Sequence, residues 1–223
     1  MKKVKRRVIL AVPLCLGLVF LLAKVFVVIN ISCSSQFGPC NTDLDKTILG
    51  YKEKNIFKAK QELSKLLREN PLVYKYSLNL KSPTNLEIQL VERVGRVAIA
   101  GKTGTSFWIV DSDGLVIKTD NTTALPVLYT KDYKTQVGYK VSEEYLFVCK
   151  LIALLSDTYG VGSGRVSGDG LHVTLNDKTE VIFPLVGDED LLLGSLRYLL
   201  SRLKQISTGT TIDLRYKNPI IRR

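Results

Sequence analysis

A single histidine, His172, has to serve the whole 223-residue chain. Catalytic sites built on Ser-His-Asp or Cys-His therefore have one imidazole to use, and no nucleophile motif leads into a strand-to-helix elbow. His172 falls on the polar side of an alternating stretch, Leu171 to Leu175, and reads as a solvated strand residue. Cysteine is scarce too, at four residues, and no spacing among Cys15, Cys33, Cys40 and Cys149 resembles a zinc site. Phosphate-binding loops are missing. Gly101-Lys102-Thr103 ends like GxxxxGK[ST], but Arg96 stands where that loop needs glycine and residues 105–110 read as strand instead of helix. Gly160-Val161-Gly162 fails GxGxxG at Arg165, and Asp111, Asp113 and Gly114 lack the remaining ligands of a calcium loop. No catalytic residue, metal ligand or cofactor is assigned.

Dense basic runs are also absent from most of the chain. The formal net charge is +11, from 32 basic and 21 acidic residues. Six of the basic residues (Lys2, Lys3, Lys5, Arg6, Arg7 and Lys24) precede residue 32. The other 26 face all 21 acidic ones, a net +5, with no aromatic-interleaved basic cluster. Nucleic acid is therefore not an expected partner.

What is present is one long apolar run, Val8 to Ile31, interrupted only by Lys24. About 20 residues of helix cross a hydrocarbon core, so the run is long enough to span a membrane. The basic flank ahead of it belongs on the cytoplasmic side, which puts the remainder of the chain outside. A cleaved signal would need a shorter core and a small-x-small site, and a retained anchor fits better. The helix is expected to stop near Lys24, with Val25 to Ile31 already opening an outer strand. Cys15 and Cys149 read as small buried apolar residues. Cys33 and Cys40 bracket a short loop on the outer side, which suits a disulfide there; two unpaired thiols fit the residues as well.

Further along, Thr42 is expected to cap a short helix with Leu44, Ile48 and Tyr51 on one face, and a second helix spans Ile56 to Glu69, stopped by Asn70-Pro71. The period then falls from 3.6 to 2. Tyr74, Tyr76, Leu78 and Leu80, and then Leu86, Ile88 and Leu90, alternate with polar residues around Ser82 to Asn85, as in a hairpin. Helical stripes recur at Tyr145, Val148, Cys149, Ile152 and Leu155, and at Leu192, Leu196, Leu199 and Leu203 behind the acidic cluster at 188–190.

Asn70 to Ile99, NPLVYKYSLNLKSPTNLEIQLVERVGRVAI, resembles the end of a POTRA domain in its P-x-V opening, its S-P-T-x-L-x-I turn and its closing Glu92-Arg93. Placed after one span, it is similar to the FtsQ/DivIB family of bacterial cell-division proteins. Val94-Gly95-Arg96-Val97-Ala98 departs from the family's x-Pro-Val-Ala by lacking the proline and being one residue longer. Phe107 to Val116 resembles the family's Val-Asp-x-x-Gly hairpin, Leu125 to Leu128 its next strand, and Ile212-Asp213-Leu214-Arg215-Tyr216 its C-terminal signature.

The resemblance implies an α+β chain with one N-terminal transmembrane helix, then a POTRA-like β-α-α-β-β domain and a mixed β-sheet domain with packed helices. Its segments would be a cytoplasmic basic tail (1–7), the transmembrane helix (8–27), the POTRA-like domain (28–94) and an FtsQ/DivIB-type β domain (95–223). It implies a non-catalytic divisome scaffold in the cytoplasmic membrane at the septum, touching lipid through one span. The scaffold would bind FtsB/FtsL-type partners and link them to septal peptidoglycan synthesis, with no nucleic acid or small-molecule substrate. Contacts would come from the final strand, Thr211 to Asn218: Arg215 and Tyr216 foremost, with Thr211, Lys217 and Asn218 beside them. Tyr216 covering its own core and Arg215 pairing with a nearby carboxylate are the plain alternatives, and Ile220 and Ile221 are expected to pack or be covered. Two other functions stay open: a POTRA-type docking module of secretion or outer-membrane assembly, and an anchored cell-wall enzyme.

Overall fold

A computed structural model describes residues 27–100, 105–131, 133–175, 178–202 and 209–222. The chain divides into two units, one ending at Glu92 and the other starting at Arg93.

In the first unit, β1 (Asn30–Ser35) turns into β2 (Gly38–Pro39), and α1 (Thr42–Leu49) and α2 (Ile56–Glu69) lead to the hairpin β3 (Val73–Ser82) and β4 (Asn85–Glu92). The sheet order is β2-β1-β4-β3, with β1 parallel to β4 and the other pairs antiparallel. Both helices are capped by asparagine: Asn41 accepts from the Asp43 N–H at 3.2 Å, and Asn55 from the Phe57 N–H at 3.0 Å. The cap of α1 is thus Asn41, and Thr42 is its first helical residue. The buried stripe of α2, Ile56, Ala59, Leu63 and Leu67, packs with Leu86, Ile88 and Leu90 of β4 and with Val28. Cys33 and Cys40 are joined by a disulfide with Cα atoms 5.5 Å apart, closing the β1–β2 hairpin. Gln36 at its tip both donates to the Glu92 carbonyl and accepts from the Glu92 N–H, each at 2.9 Å, as an added strand residue would.

The fold expected from the sequence needs correction at its N-terminal end. Among the described residues no helix is long and apolar enough to cross a membrane. The longest, with 17 residues, reaches about 26 Å against a core of about 30 Å. Most of the expected span, residues 8–26, lies outside the described residues. Its last position, Val27, is not helical but bridges to Asn55, and Val28 is fully buried in the core of the first unit. The first strand starts at Asn30, later than expected, and the short strand β2 makes the sheet four-stranded.

The second unit contains β5 (Gly95–Ala100), β6 (Phe107–Asp111), β7 (Val116–Asp120), β8 (Val127–Tyr129), α3 (Glu143–Tyr159), β9 (Ser163–Ser167), β10 (Gly170–Thr174), β11 (Glu180–Pro184), α4 (Glu189–Arg202), β12 (Thr211–Asp213) and β13 (Ile220–Arg222). They build one nine-stranded sheet in the order β13-β12-β11-β10-β9-β8-β5-β6-β7. The β8–β9 and β11–β12 pairs are parallel, and a parallel pair needs a crossover, which α3 and α4 supply. α3 buries Phe147, Val148, Cys149, Leu151, Ile152, Ala153 and Leu155 against Leu128, Leu171, Val181 and Phe183 of the sheet. Burial pushes the Cys149 thiol up to about 12, so it stays protonated and acts as an apolar residue. α4 is only lightly buried: Leu196 is covered, Leu192 and Leu199 are partly so, and Leu203 lies outside the described residues.

The β6–β7 turn is organised by Asp111, whose Oδ1 accepts from the N–H groups of Asp113 (2.9 Å) and Leu115 (2.8 Å) while its Oδ2 accepts from Arg93 Nη1 (2.5 Å). Arg93 also meets Asp113 at 3.1 Å. The connection is longer than a two-residue Asp-Gly turn, because Asp111 and Leu115 close it with Gly114 at φ 79° inside.

Candidate partner-binding edge

Five candidate contacts, Thr211, Arg215, Tyr216, Lys217 and Asn218, fall at one end of the nine-stranded sheet. They do not form one strand. β12 stops at Asp213, residues 215–218 bend away, and the chain returns as β13 antiparallel to β12. The side chain of Asp213 enforces the bend: its Oδ1 accepts from the Arg215 backbone N–H at 3.1 Å, closing a local turn that competes with further strand.

Arg215 holds that turn down. Its Nε and Nη2 donate to the two carboxylate oxygens of Asp213, at 2.9 and 2.6 Å, and its Nη1 donates to Asp169 in the β9–β10 turn. The guanidinium holds the Asp213 carboxyl below the usual carboxylate range, with help from the positive charge of Arg222. Gly170 makes room for this arrangement. A Cβ there would lie 2.8 Å from Ile182 Cγ2 and 3.2 Å from the Arg215 stem. Arg215 thus fastens the end of β12 across β11 to the turn before β10.

Tyr216 is 53% exposed, and its ring lies 5.7 Å from the Arg215 guanidinium carbon, within cation–π range. Lys217 and Asn218 are exposed, while Thr211 is half-buried in β12 between Glu180 and Arg222. Beside them Ile220 and Ile221 are each 38% exposed. A groove of about 490 Å³ runs from Pro219 along α4, lined by Leu191, Gly194, Tyr198 and Leu199. Leu191 and Tyr198 are the most exposed large apolar side chains of that helix, at 69% and 59%. The end of the sheet therefore brings together an aromatic ring, a basic side chain, two isoleucines and an apolar groove, the kind of surface that anchors protein partners.

Sequence reasoning missed the short strand β13 and the groove on α4; its alternative of a nearby carboxylate for Arg215 is what the structure shows, with Asp169 and Asp213 as the carboxylates it did not name. Asp213, two residues before Arg215 and on the same side of an extended chain, was the one available signal. His172 lies two strands away, where its Nδ1 sits 3.0 Å from Glu180 Oε1. A second cleft of about 310 Å³ lies between α3, the start of α4 and the β5–β6 pair, floored by Cys149 and rimmed by Arg96, Lys150 and Asp190. Arg96 there is already paired with Asp157 at 2.7 Å.

No protein-family model matches this chain, and no curated protein does.

Proposed function

We propose that this chain is a non-catalytic scaffold of bacterial cell division, of the FtsQ/DivIB type. It acts on the outer side of the cytoplasmic membrane at the septum, where it binds FtsB/FtsL-type partners through the β12–β13 end of its second unit and links them to septal peptidoglycan synthesis. The observation that carries the reading is the coincidence of the Ile-Asp-Leu-Arg-Tyr signature with a sheet edge. The residues that resemble the family's C-terminal signature lead directly into an exposed strand, with Tyr216 displayed beside it. An exposed edge accepts an added strand through main-chain hydrogen bonds, and neighbouring side chains select which strand. The Cys33–Cys40 disulfide supports an oxidising compartment for the first unit.

In this reading Arg215 positions the edge and Tyr216 touches the partner. The test is live imaging in the native host of the chain carrying a fluorescent group ahead of Met1, beside a copy with Tyr216→Glu. The native chain should collect at midcell, and the Tyr216→Glu copy should also reach midcell yet fail to support division. Uniform membrane fluorescence of the native chain would overturn the division role.

A further inference from the structure

Between β8 and α3 the chain forms a strap that is fastened at both ends. Tyr133 holds its start: its ring lies against that of Tyr145 on α3 with centroids 4.0 Å apart, and both side chains pack on the core of the second unit. The Thr130 hydroxyl accepts there from the Tyr133 N–H at 3.2 Å and from the Tyr145 hydroxyl at 3.5 Å. The far end is laced to β7 and the turn before it, through the Gly138 N–H on the Val116 carbonyl and the Val141 N–H on the Gly114 carbonyl.

The middle of the strap is displayed. A turn closed by the Tyr139 N–H on the Gln136 carbonyl at 3.2 Å, with Gly138 at φ 88° as its third residue, sets Val137 at the tip, 40% exposed, and Tyr139 beside it, 59% exposed. Lys131, Lys134 and Lys140 are exposed as well, and none of them pairs with a carboxylate among the described residues. They face one acidic residue, Asp132, in the sequence of 130–142, and Glu143 and Glu144 follow in the first turn of α3. Lys134 and Lys140 line a hollow of about 390 Å³ together with Tyr133, Thr135, Gln136 and Tyr139. Two positive charges among several hydrogen-bond donors is the chemistry that a phosphate diester requires.

The rest of the display says where that phosphate is carried. A tyrosine has an apolar body and a polar tip, which suits the layer between headgroups and acyl chains, and an apolar tip such as Val137 is stabilised there. Lysine is depleted from protein–protein interfaces, whereas a lysine beside a membrane gains from anionic lipid. The residue types thus set this strap apart from the β13 end, where arginine, tyrosine and isoleucine gather.

We propose that the strap is a docking site for an anionic phospholipid surface, with a headgroup phosphate in the hollow beside Lys134 and Lys140 and with Val137 and Tyr139 entering the headgroup layer. The proposal takes from the reading above only that the second unit meets the outer side of a membrane. It is separate from partner capture at β12–β13, and division does not depend on it.

The test uses the full chain held in nanodiscs of phosphatidylcholine. Cys15→Ser and Val137→Cys let an environment-sensitive fluorophore report from the tip, since Cys149 is buried and Cys33 and Cys40 are joined. Vesicles of phosphatidylglycerol and phosphatidylcholine in equal parts should shift its emission to the blue, and vesicles of phosphatidylcholine alone should not. Lys134→Ser with Lys140→Ser should weaken binding of the mixed vesicles about thirtyfold, the worth of two lysines near an anionic surface. Lys134→Arg with Lys140→Arg should keep it. Lys60→Ser with Lys65→Ser removes the same charge from exposed positions of α2 and should leave it unchanged. No shift with mixed vesicles, an equal shift with neutral ones, or equal losses from the two serine pairs overturns the proposal. An equal shift from soluble glycerol phosphate also overturns it, because the hollow would then be a site for free phosphate. No arm reads division, so uniform fluorescence in the imaging experiment would remove the division reading alone, and failure here would leave that reading standing.

Discussion

The nine-stranded sheet has two ends, and it closes them in different ways. At the β7 end the loop before α3 folds back onto the strand. The Val116 N–H donates to the Tyr139 carbonyl at 2.9 Å, the Gly138 N–H donates to the Val116 carbonyl at 2.8 Å, and the Val141 N–H donates to the Gly114 carbonyl at 2.8 Å. The rest of β7 carries Lys118 and Asp120, paired at 2.6 Å, and charged side chains discourage strand addition. At the other end a three-residue strand, β13, is the outermost element among the described residues. The first closure is continuous with Val141, which lies in the core just before α3, whereas the second ends in residues exposed throughout. A closure anchored by a buried residue resists opening better than one exposed throughout.

The largest effect on this contrast should come from undermining β12. Ile212→Ala removes a fully buried side chain from the strand that seats β13. It should cost about 2–5 kcal/mol, read as a lower midpoint in urea. Gly138→Ala attacks the opposite end. Gly138 has φ 88° and open space where a Cβ would stand, so the penalty is backbone strain without a clash. It should cost about 1–2 kcal/mol, and an unfastened β7 edge should raise self-association, visible by light scattering.

The smallest effect is in acid. Asp213 has a folded-state pKa below its unfolded value of about 3.9, so its contribution to stability is present above that pH and is lost as pH falls through the lower folded value. The native chain should lose Tm as pH drops below about 4 more steeply than Arg215→Ala does, because only the native chain has the guanidinium that lowers the Asp213 pKa.

Which parts of this fold were legible in the sequence follows from the range of the forces that make them. α2 could be read from Ala59, Leu63 and Leu67 at helical spacing, with Pro71 behind them, and the β3–β4 hairpin from its period of two. Both are local patterns. β13 could not be read, since three residues hold too little of any period to declare a strand, and β2 with two residues holds less. The Arg215–Asp169 tie joins positions 46 residues apart, and its existence depends on how the β9–β10 turn approaches β12. The end of the apolar run shows a different limit. Val28 is apolar because it is fully buried in the first unit, and composition alone does not separate a protein interior from a lipid one.

At the candidate edge the legible part was the residue set, while its roles needed geometry. Arg215 and Tyr216 are neighbours in sequence, yet one is tied to two aspartates and the other is displayed to solvent.

The most direct test sets one end of the sheet against the other in living cells. Tyr216→Glu places a charge beside β13, and Tyr139→Glu places the same charge on a 59% exposed tyrosine of the β7 closure. Both should leave stability within about 0.5 kcal/mol, as exposed substitutions generally do. The expected result is that both copies reach midcell and only Tyr216→Glu fails to support division. Division supported equally by both copies would contradict a partner site at the β13 end.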